Sequence, residues 1–294
     1  MIDYLLFLIY KIFKFIVLLL PKFLVKYFLD GLASFLYLVN VEHKRYAKAN
    51  LDFVYKETIS EDRKQEIIKH SYQNLVYNIY EFIENQNLDL EGFESKITVI
   101  NEKVLLDALN SKRKIIMITA HYGNWEFGSN FFPLKYIPIT MVGRPMNNKY
   151  LNDELFETRN KNKAEMISKN EASRGLVKAL KSGKGIGLVI DQHNGTGIDV
   201  SFLGHKVKQT DSASRLALKF DALIVPMFFT MDSFGKYTAT VSEPIDPKNF
   251  EGENNIYDLT QAQADVIAEH ILKKPDQWFW QHKRFKEYHK EIYE

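Results

Sequence analysis

The chain has 294 residues, with 39 Lys and Arg against 37 Asp and Glu. At 46% hydrophobic and 26% charged residues it is neither a disordered chain nor a low-complexity polymer, and a net charge of +2 argues against bulk nucleic-acid binding. It holds no cysteine, which excludes disulfides, Cys–zinc sites, iron–sulfur ligation and a Cys nucleophile.

The first thirty residues stand apart in composition. Tyr4 to Leu20 is almost wholly apolar, interrupted by Lys11 and Lys14; Pro21 follows, then a second apolar stretch with Lys22 and Lys26. At about 100° per residue these four lysines fall within roughly 120° of one another on a single helix. An apolar helix with a basic stripe suits an interfacial anchor, its lysines reaching anionic headgroups. A single span with snorkelling lysines is the second reading. A cleaved signal peptide is the third and fits worst, because its charge should precede the apolar core. The expected organisation is a membrane anchor over 1–30 and one globular domain over 31–294, with the positive residues favouring the cytoplasmic side.

Residues 42 to 87 read as helical, with Ser60 starting a helix whose first turn is acidic. From Ile97 short apolar runs alternate with amphipathic segments. Strands are expected at Ile97–Ile100, Ile115–Thr119, Ile139–Val142, Gly187–Ile190, Ile224–Phe229 and Tyr237–Val241. Helices are expected at Glu102–Asn110, Trp125–Phe132, Asn148–Lys161, Ser173–Lys181, Asp211–Phe220 and Tyr257–Leu272. This alternation predicts an α/β body with a mostly parallel central sheet flanked by helices.

Chemistry concentrates where the apolar run Ile115–Thr119 enters the polar turn His121-Tyr-Gly-Asn-Trp-Glu126. Strand ends are where sites are built in such sheets. On a regular helix His121 and Glu126 would lie about 140° apart. With His121 in the turn and Glu126 in the first helical turn they can meet. Glu126 would then orient the imidazole and leave its other nitrogen basic, as in a Ser-His-Asp site whose nucleophile is the substrate's own hydroxyl. The alternative is a histidine at a strand end and a glutamate that favours a helix N-terminus. Serine-elbow, H-E-x-x-H, Rossmann and P-loop patterns are absent, and the eight histidines have no ligand-like spacing. Asp191 ends another expected strand and can face the same cleft, or be a solvated loop acid. Arg144 follows a third strand, and Arg159 lies on the next helix as a surface charge by default. The tail from Gln277 to Lys286 interleaves aromatic and basic residues, which suits a membrane interface or an aromatic face packed on the core.

Read together, these segments resemble the lipid A late acyltransferases, the lauroyl/myristoyl-type enzymes. His121-Tyr-Gly-Asn-Trp-Glu126 matches their H-x-G-N-W-E block. Arg144-Pro145 with Asn147 or Asn148, then Arg159, matches R-P…N…R. Asp191-Gln192, Val200-Ser-Phe-Leu-Gly204, Thr210, Leu216-Ala217 and Val225-Pro226 match a third stretch, and Gln277-Trp278-Phe-Trp280-Gln-His282-Lys-Arg284-Phe285-Lys286 matches the ending. Gly204 is followed by a stretch more basic than is usual there, and Asp211 and Ser212 stand where small residues are common.

The resemblance implies a glycerolipid-acyltransferase-like fold, with an N-terminal amphipathic or transmembrane anchor helix, at the cytoplasmic face of the inner membrane. It implies transfer of an acyl group from acyl carrier protein to a hydroxyl of a 3-hydroxyacyl chain on a Kdo-bearing lipid A precursor, with no cofactor and no metal. His121 would remove the proton and Glu126 would orient the ring. Arg144 or Arg159 would bind phosphate or steady the oxyanion, Asp191 would be the third polar group, and Asn124 would shape the turn. Lys206, Lys208, Arg284 and Lys286 are candidates for headgroup or carrier-protein contact; His205, beside them, is expected to be uninvolved. The partners implied are acyl carrier protein, a glycolipid and the membrane surface, and no nucleic acid. Another glycolipid acceptor, such as a phosphatidylinositol mannoside, a thioester hydrolase and a membrane-bound binding protein whose His–Glu pair is structural remain as alternatives.

Overall fold

The computed structural model of the protein describes residues 2–294, so Met1 of the expected anchor lies outside the described residues. The centre is a seven-stranded sheet of β1 (Ile97–Ile100), β2 (Ile115–Thr119), β3 (Ile139–Gly143), β4 (Ala164–Ser168), β5 (Gly185–Val189), β8 (Leu223–Ser233) and β9 (Lys236–Val241). Its spatial order is β1-β9-β8-β2-β5-β3-β4. All neighbours pair in parallel except β8 with β9. The mostly parallel sheet expected from the alternating pattern is therefore present.

β2 shows why it is central. Its Ile-Ile-Met-Ile-Thr is buried at every position, as a strand covered on both faces must be. Successive side chains then split between two cores. Ile116 and Ile118 join α3 (Val41–Tyr55), α4 (Glu61–Glu84), α9 (Ala172–Lys181), α10 (Ser212–Phe220) and α11 (Asn255–Lys273). Ile115 and Met117 join α5 (Leu90–Glu94), α6 (Glu102–Asn110) and α7 (Trp125–Lys135).

Three strands were not expected. β4 carries Glu165 and lies at the sheet edge, where polar residues are tolerated and an apolar run is not needed. β6 (Ile198–Phe202) and β7 (His205–Gln209) form a separate antiparallel hairpin. Its turn places Leu203 at φ 50° and Gly204 at φ 81°, the left-handed pair a two-residue hairpin requires.

The N-terminal segment forms two helices, α1 (Ile2–Leu19) and α2 (Lys22–Val39), broken at Pro21, which lacks the amide a continuing helix needs. The boundary expected at residue 30 falls inside α2. Val17, Val25, Leu29 and Ala33 bury against Val76, Tyr77, Tyr80 and Ile83 of α4. The four lysines of the stripe all have acidic partners. Lys11 and Lys14 pair with Glu154, Lys22 with Glu84 and Lys26 with Asp30, so the basic stripe is taken up by acids of the protein itself. The apolar face points outward, with Leu5, Ile9, Ile12, Phe15, Phe23 and Tyr27 all more than half exposed. Among the described residues no single helix is long and apolar enough to cross a membrane; only α2 and α3 together, bent by 84° at their junction, have that length and composition.

One backbone approach fixes the turn after β2. Gly123 has φ 55°, and a Cβ there would lie 1.9 Å from the Phe229 carbonyl oxygen. Gly123→Ala is expected to destabilise the protein by about 2 kcal/mol or more, because β8 backbone would have to move. Gly31→Ala, in helix α2 with nothing within 4 Å of the added carbon, is expected to stabilise by about 0.5–1 kcal/mol. Thermal unfolding of the two variants checks this, and a Gly123→Ala protein as stable as the parent would refute the close approach.

Candidate active site

Parallel pairing of β2 with β5 builds the site. Thr119 sits opposite Val189, and two residues beyond each lie His121 and Asp191. Strands in register carry the two side chains out of the sheet side by side. His121 Nδ1 is 2.8 Å from Asp191 Oδ1, and the His121 backbone N–H donates to Oδ2 at 3.0 Å. With Nδ1–H given to the carboxylate, Nε2 is the free, basic nitrogen. The imidazole is one-quarter exposed and the carboxylate about 1% exposed.

The last segment of the chain completes the support. Trp278 Nε1 donates to Asp191 Oδ2 at 2.7 Å, and Phe279 N–H donates to the His121 carbonyl at 3.0 Å. Burial alone would push the Asp191 carboxyl up. The His121 ring beside it, with the hydrogen bonds from that ring, Trp278 and the His121 amide, outweighs burial and holds it at about 2. Asp191 is therefore a permanent anion that can stabilise an imidazolium without taking its proton.

The expected contact between His121 and Glu126 is not formed. Glu126 sits in the first turn of α7 and turns to α8 (Lys149–Arg159), where Arg159 grips it through Nε at 3.1 Å and through Nη2. Both side chains are about 15% exposed, and a half-buried carboxylate next to a guanidinium takes the bidentate partner. Arg159, a surface charge by position alone and a substrate contact by the resemblance, is thus fixed against Glu126. Asn124 is wholly buried and caps α7 by accepting from Phe127 N–H at 3.1 Å, so it shapes the turn and does not line the cleft. Arg144 is exposed beyond β3 and makes no hydrogen bond or ion pair among the described residues.

The candidates for headgroup or carrier contact divide. Lys206 and Lys208 on β7 both pair with Asp199, at 2.9 and 2.7 Å, so their charge is largely matched within the hairpin. Lys286 is exposed. Arg284 is fully buried and cannot meet a headgroup: it donates to the Gln192 and Lys208 carbonyls and to Gln209 Oε1, with its guanidinium over the Phe202 ring. Trp278, Trp280 and Phe285 are buried as well, so the aromatic face of the tail packs on the core. His205 stacks on Phe53 and accepts no candidate partner from the cleft.

Two contributors were not singled out in the sequence. Trp278 was read with the tail and not as a donor to Asp191. Trp125 places its ring 5.1 Å from that of His121, at 63°, and also lines an apolar groove of about 310 Å³ beside the site. The groove runs between α4 and α8, with Ile79, Phe82, Glu126 and Leu155 among its walls. A larger depression of about 430 Å³, lined by Arg45, Lys48 and Phe53, contains none of these residues. The described residues hold no cluster of acids and histidines arranged to bind a metal ion. In chemical terms the arrangement offers a base with a fixed tautomer, an arginine paired with a glutamate of the groove wall and an apolar groove alongside.

Comparison with known proteins agrees with the sequence resemblance. The profile of the family described as "Bacterial lipid A biosynthesis acyltransferase" matches residues 1–287. A lipid A biosynthesis palmitoleoyltransferase of Escherichia coli (strain K12) is 25% identical over 259 residues, covering 82% of this chain and 78% of that protein. A lipid A biosynthesis acyltransferase of Shigella flexneri matches with the same figures. Among solved structures, the 1-acyl-sn-glycerophosphate (LPA) acyltransferase of Thermotoga maritima superposes with a TM-score of 0.39 at 13% identity, covering 85% of this chain and 99% of that one.

The packing behind Asp191 yields a pH dependence. Burial pushes the His282 imidazole down from its ordinary value near 6.5 to about 4, and its Nδ1 is buried without a partner. A lowered folded-state value means that the stabilisation is complete above about 6.5 and is lost as the pH falls towards 4, because the unfolded chain binds the proton first. The midpoint of thermal unfolding is expected to fall across that window, and His282→Gln to flatten the slope. An unchanged slope would place the titration elsewhere.

Proposed function

The chain belongs to the bacterial lipid A biosynthesis acyltransferase family, and from that premise we propose that it transfers a fatty acyl group from acyl carrier protein to the hydroxyl of a 3-hydroxyacyl chain on a Kdo-bearing lipid A precursor. The observation that carries this reading is a free His121 Nε2, set by the buried Asp191, opening beside an apolar groove. In the proposed step the acceptor hydroxyl attacks the thioester carbonyl as His121 takes its proton. Asp191 balances the imidazolium. The tetrahedral intermediate then expels the carrier's thiolate, which recovers the proton from His121, so no acyl-enzyme forms. Glu126 takes a different part from that first expected: it holds Arg159, whose Nη1 remains available for substrate phosphate or the oxyanion.

We further propose that the protein works at the cytoplasmic face of the inner membrane. Its N-terminal helices pair their lysines with acids of the protein and expose their apolar side chains, which is unfavourable in water and favourable at a lipid interface. The face lies on the surface of the bilayer in this reading, because neither helix alone has the length and composition of a span.

The direct test mixes the purified protein with acyl-loaded acyl carrier protein and the Kdo-bearing tetra-acylated precursor, read by mass spectrometry. A product heavier by one acyl group is expected. His121→Ala and Asp191→Asn are expected to lose about 10²–10⁴-fold in kcat. Trp278→Phe, which removes one donor to Asp191, is expected to lose less. Glu126→Gln is expected to weaken acceptor use through Arg159. Free fatty acid with no acylated product would identify a hydrolase, and full activity of His121→Ala would end the mechanism. In a separate assay, replacing Ile9, Ile12 and Phe15 by Ser is expected to lower partition into anionic vesicles about tenfold or more, a loss of about 1.4 kcal/mol or more. Undiminished partition would remove this face from the membrane contact.

A further inference from the structure

The groove beside His121 has one wall that comes from outside the α/β body. Tyr10 of α1 lines it opposite residues of α4 and α8. The Tyr10 hydroxyl donates to Glu154 of α8 at 3.4 Å, and Lys11 and Lys14 close on the same carboxylate, each at 2.6 Å. Glu154 itself lines the groove and is only 15% exposed. Five residues further along α8, about 7.5 Å along its axis, stands Arg159 with Glu126. The groove therefore carries two fixed charge clusters. One lies at the reacting end, where Trp125 touches both His121 and the groove. The other belongs to α1.

An apolar chain whose carbonyl sits at His121 enters the groove past Trp125 and gains by burial among Ile79, Phe82 and Leu155. It gains nothing by displacing Glu154 from two lysines and a phenol, since stripping paired charges of their partners is costly. We propose that Tyr10, held by Glu154, is a specificity-determining residue: it ends the space open to the donor acyl chain, so that the N-terminal helix sets the chain length transferred. This rests on the acyl-transfer reading above. The occupant is the acyl chain of the donor, because the groove begins at Trp125, whose ring packs on that of His121, and its walls are otherwise largely apolar.

Two measurements on the full chain test it. In the first, acyl-pantetheine thioesters of increasing length, each with a terminal diazirine, are photolysed on the protein and the labelled peptides are sequenced. Label is expected on α1 around Tyr10, or on α8 around Glu154, at the longest chain that binds well. Label confined to other segments at every length overturns the proposal, whether or not the protein turns over. In the second, a ladder of acyl donors competes for transfer. Tyr10→Ala is expected to raise the use of chains two carbons longer by about tenfold relative to the parent's preferred chain. Tyr10→Trp is expected to move the preference towards shorter chains. Identical profiles in both variants overturn the proposal. A parent protein that transfers nothing but is labelled at Tyr10 would count against the acyl-transfer reading and leave the chain wall in place.

Discussion

The site depends on the parallel, in-register pairing of β2 and β5. That pairing sets Thr119 against Val189 and therefore His121 against Asp191, two residues past the last ladder positions. Because both side chains leave a rigid sheet from adjacent strands, their 2.8 Å contact needs no loop to find it. The carboxylate is buried almost completely, a costly position that is tolerable only with its partners in place: the imidazole, a backbone amide and the Trp278 indole. The C-terminal segment is in this sense part of the site, although none of its buried aromatics opens to the cleft.

Around that pair the charged groups are shared out differently from what adjacency in sequence suggests. Glu126 is five residues from His121, yet its carboxylate goes to Arg159, thirty-three residues away. The helix capped by Asn124 carries Glu126 away from the histidine and toward the end of α8. Two charge pairs result, one holding the base and one holding an arginine.

The N-terminal helices apply the same electrostatics with the opposite outcome. Lysines that would be solvated on an ordinary amphipathic surface find Glu154, Glu84 and Asp30 within the protein. Their apolar neighbours are left outside. The helix pair is tied to the body by ion pairs as well as by the small core of Val17, Val25 and Leu29 against α4, and Tyr10 reaches from it into the groove. An exposed apolar face and a groove wall are thus one piece of chain.

Much of this was legible in the residues. The apolar runs of β2, β5 and β8 and the helices between them announced a parallel sheet, because strands buried on both faces must be continuously apolar. His121, Asp191 and Arg159 were all recognisable as strand-end or helix-end polar groups, and Pro21 marked the break between α1 and α2. The edge strand β4 and the β6–β7 hairpin were not legible, since strands that pair on one side or stand apart need no apolar run. The basic stripe was legible but not the acids that pair with it, and Arg284 was taken for a surface cation though it is buried. What the chain determined by itself was the set of elements and the chemical groups at their ends, because periodicity and side-chain type are local. Which acid faces which base was decided only by tertiary structure. Strand order and register put Asp191 beside His121, the course of α8 put Arg159 on Glu126, and the acids that take up the lysines come from other elements or from a neighbouring helical turn.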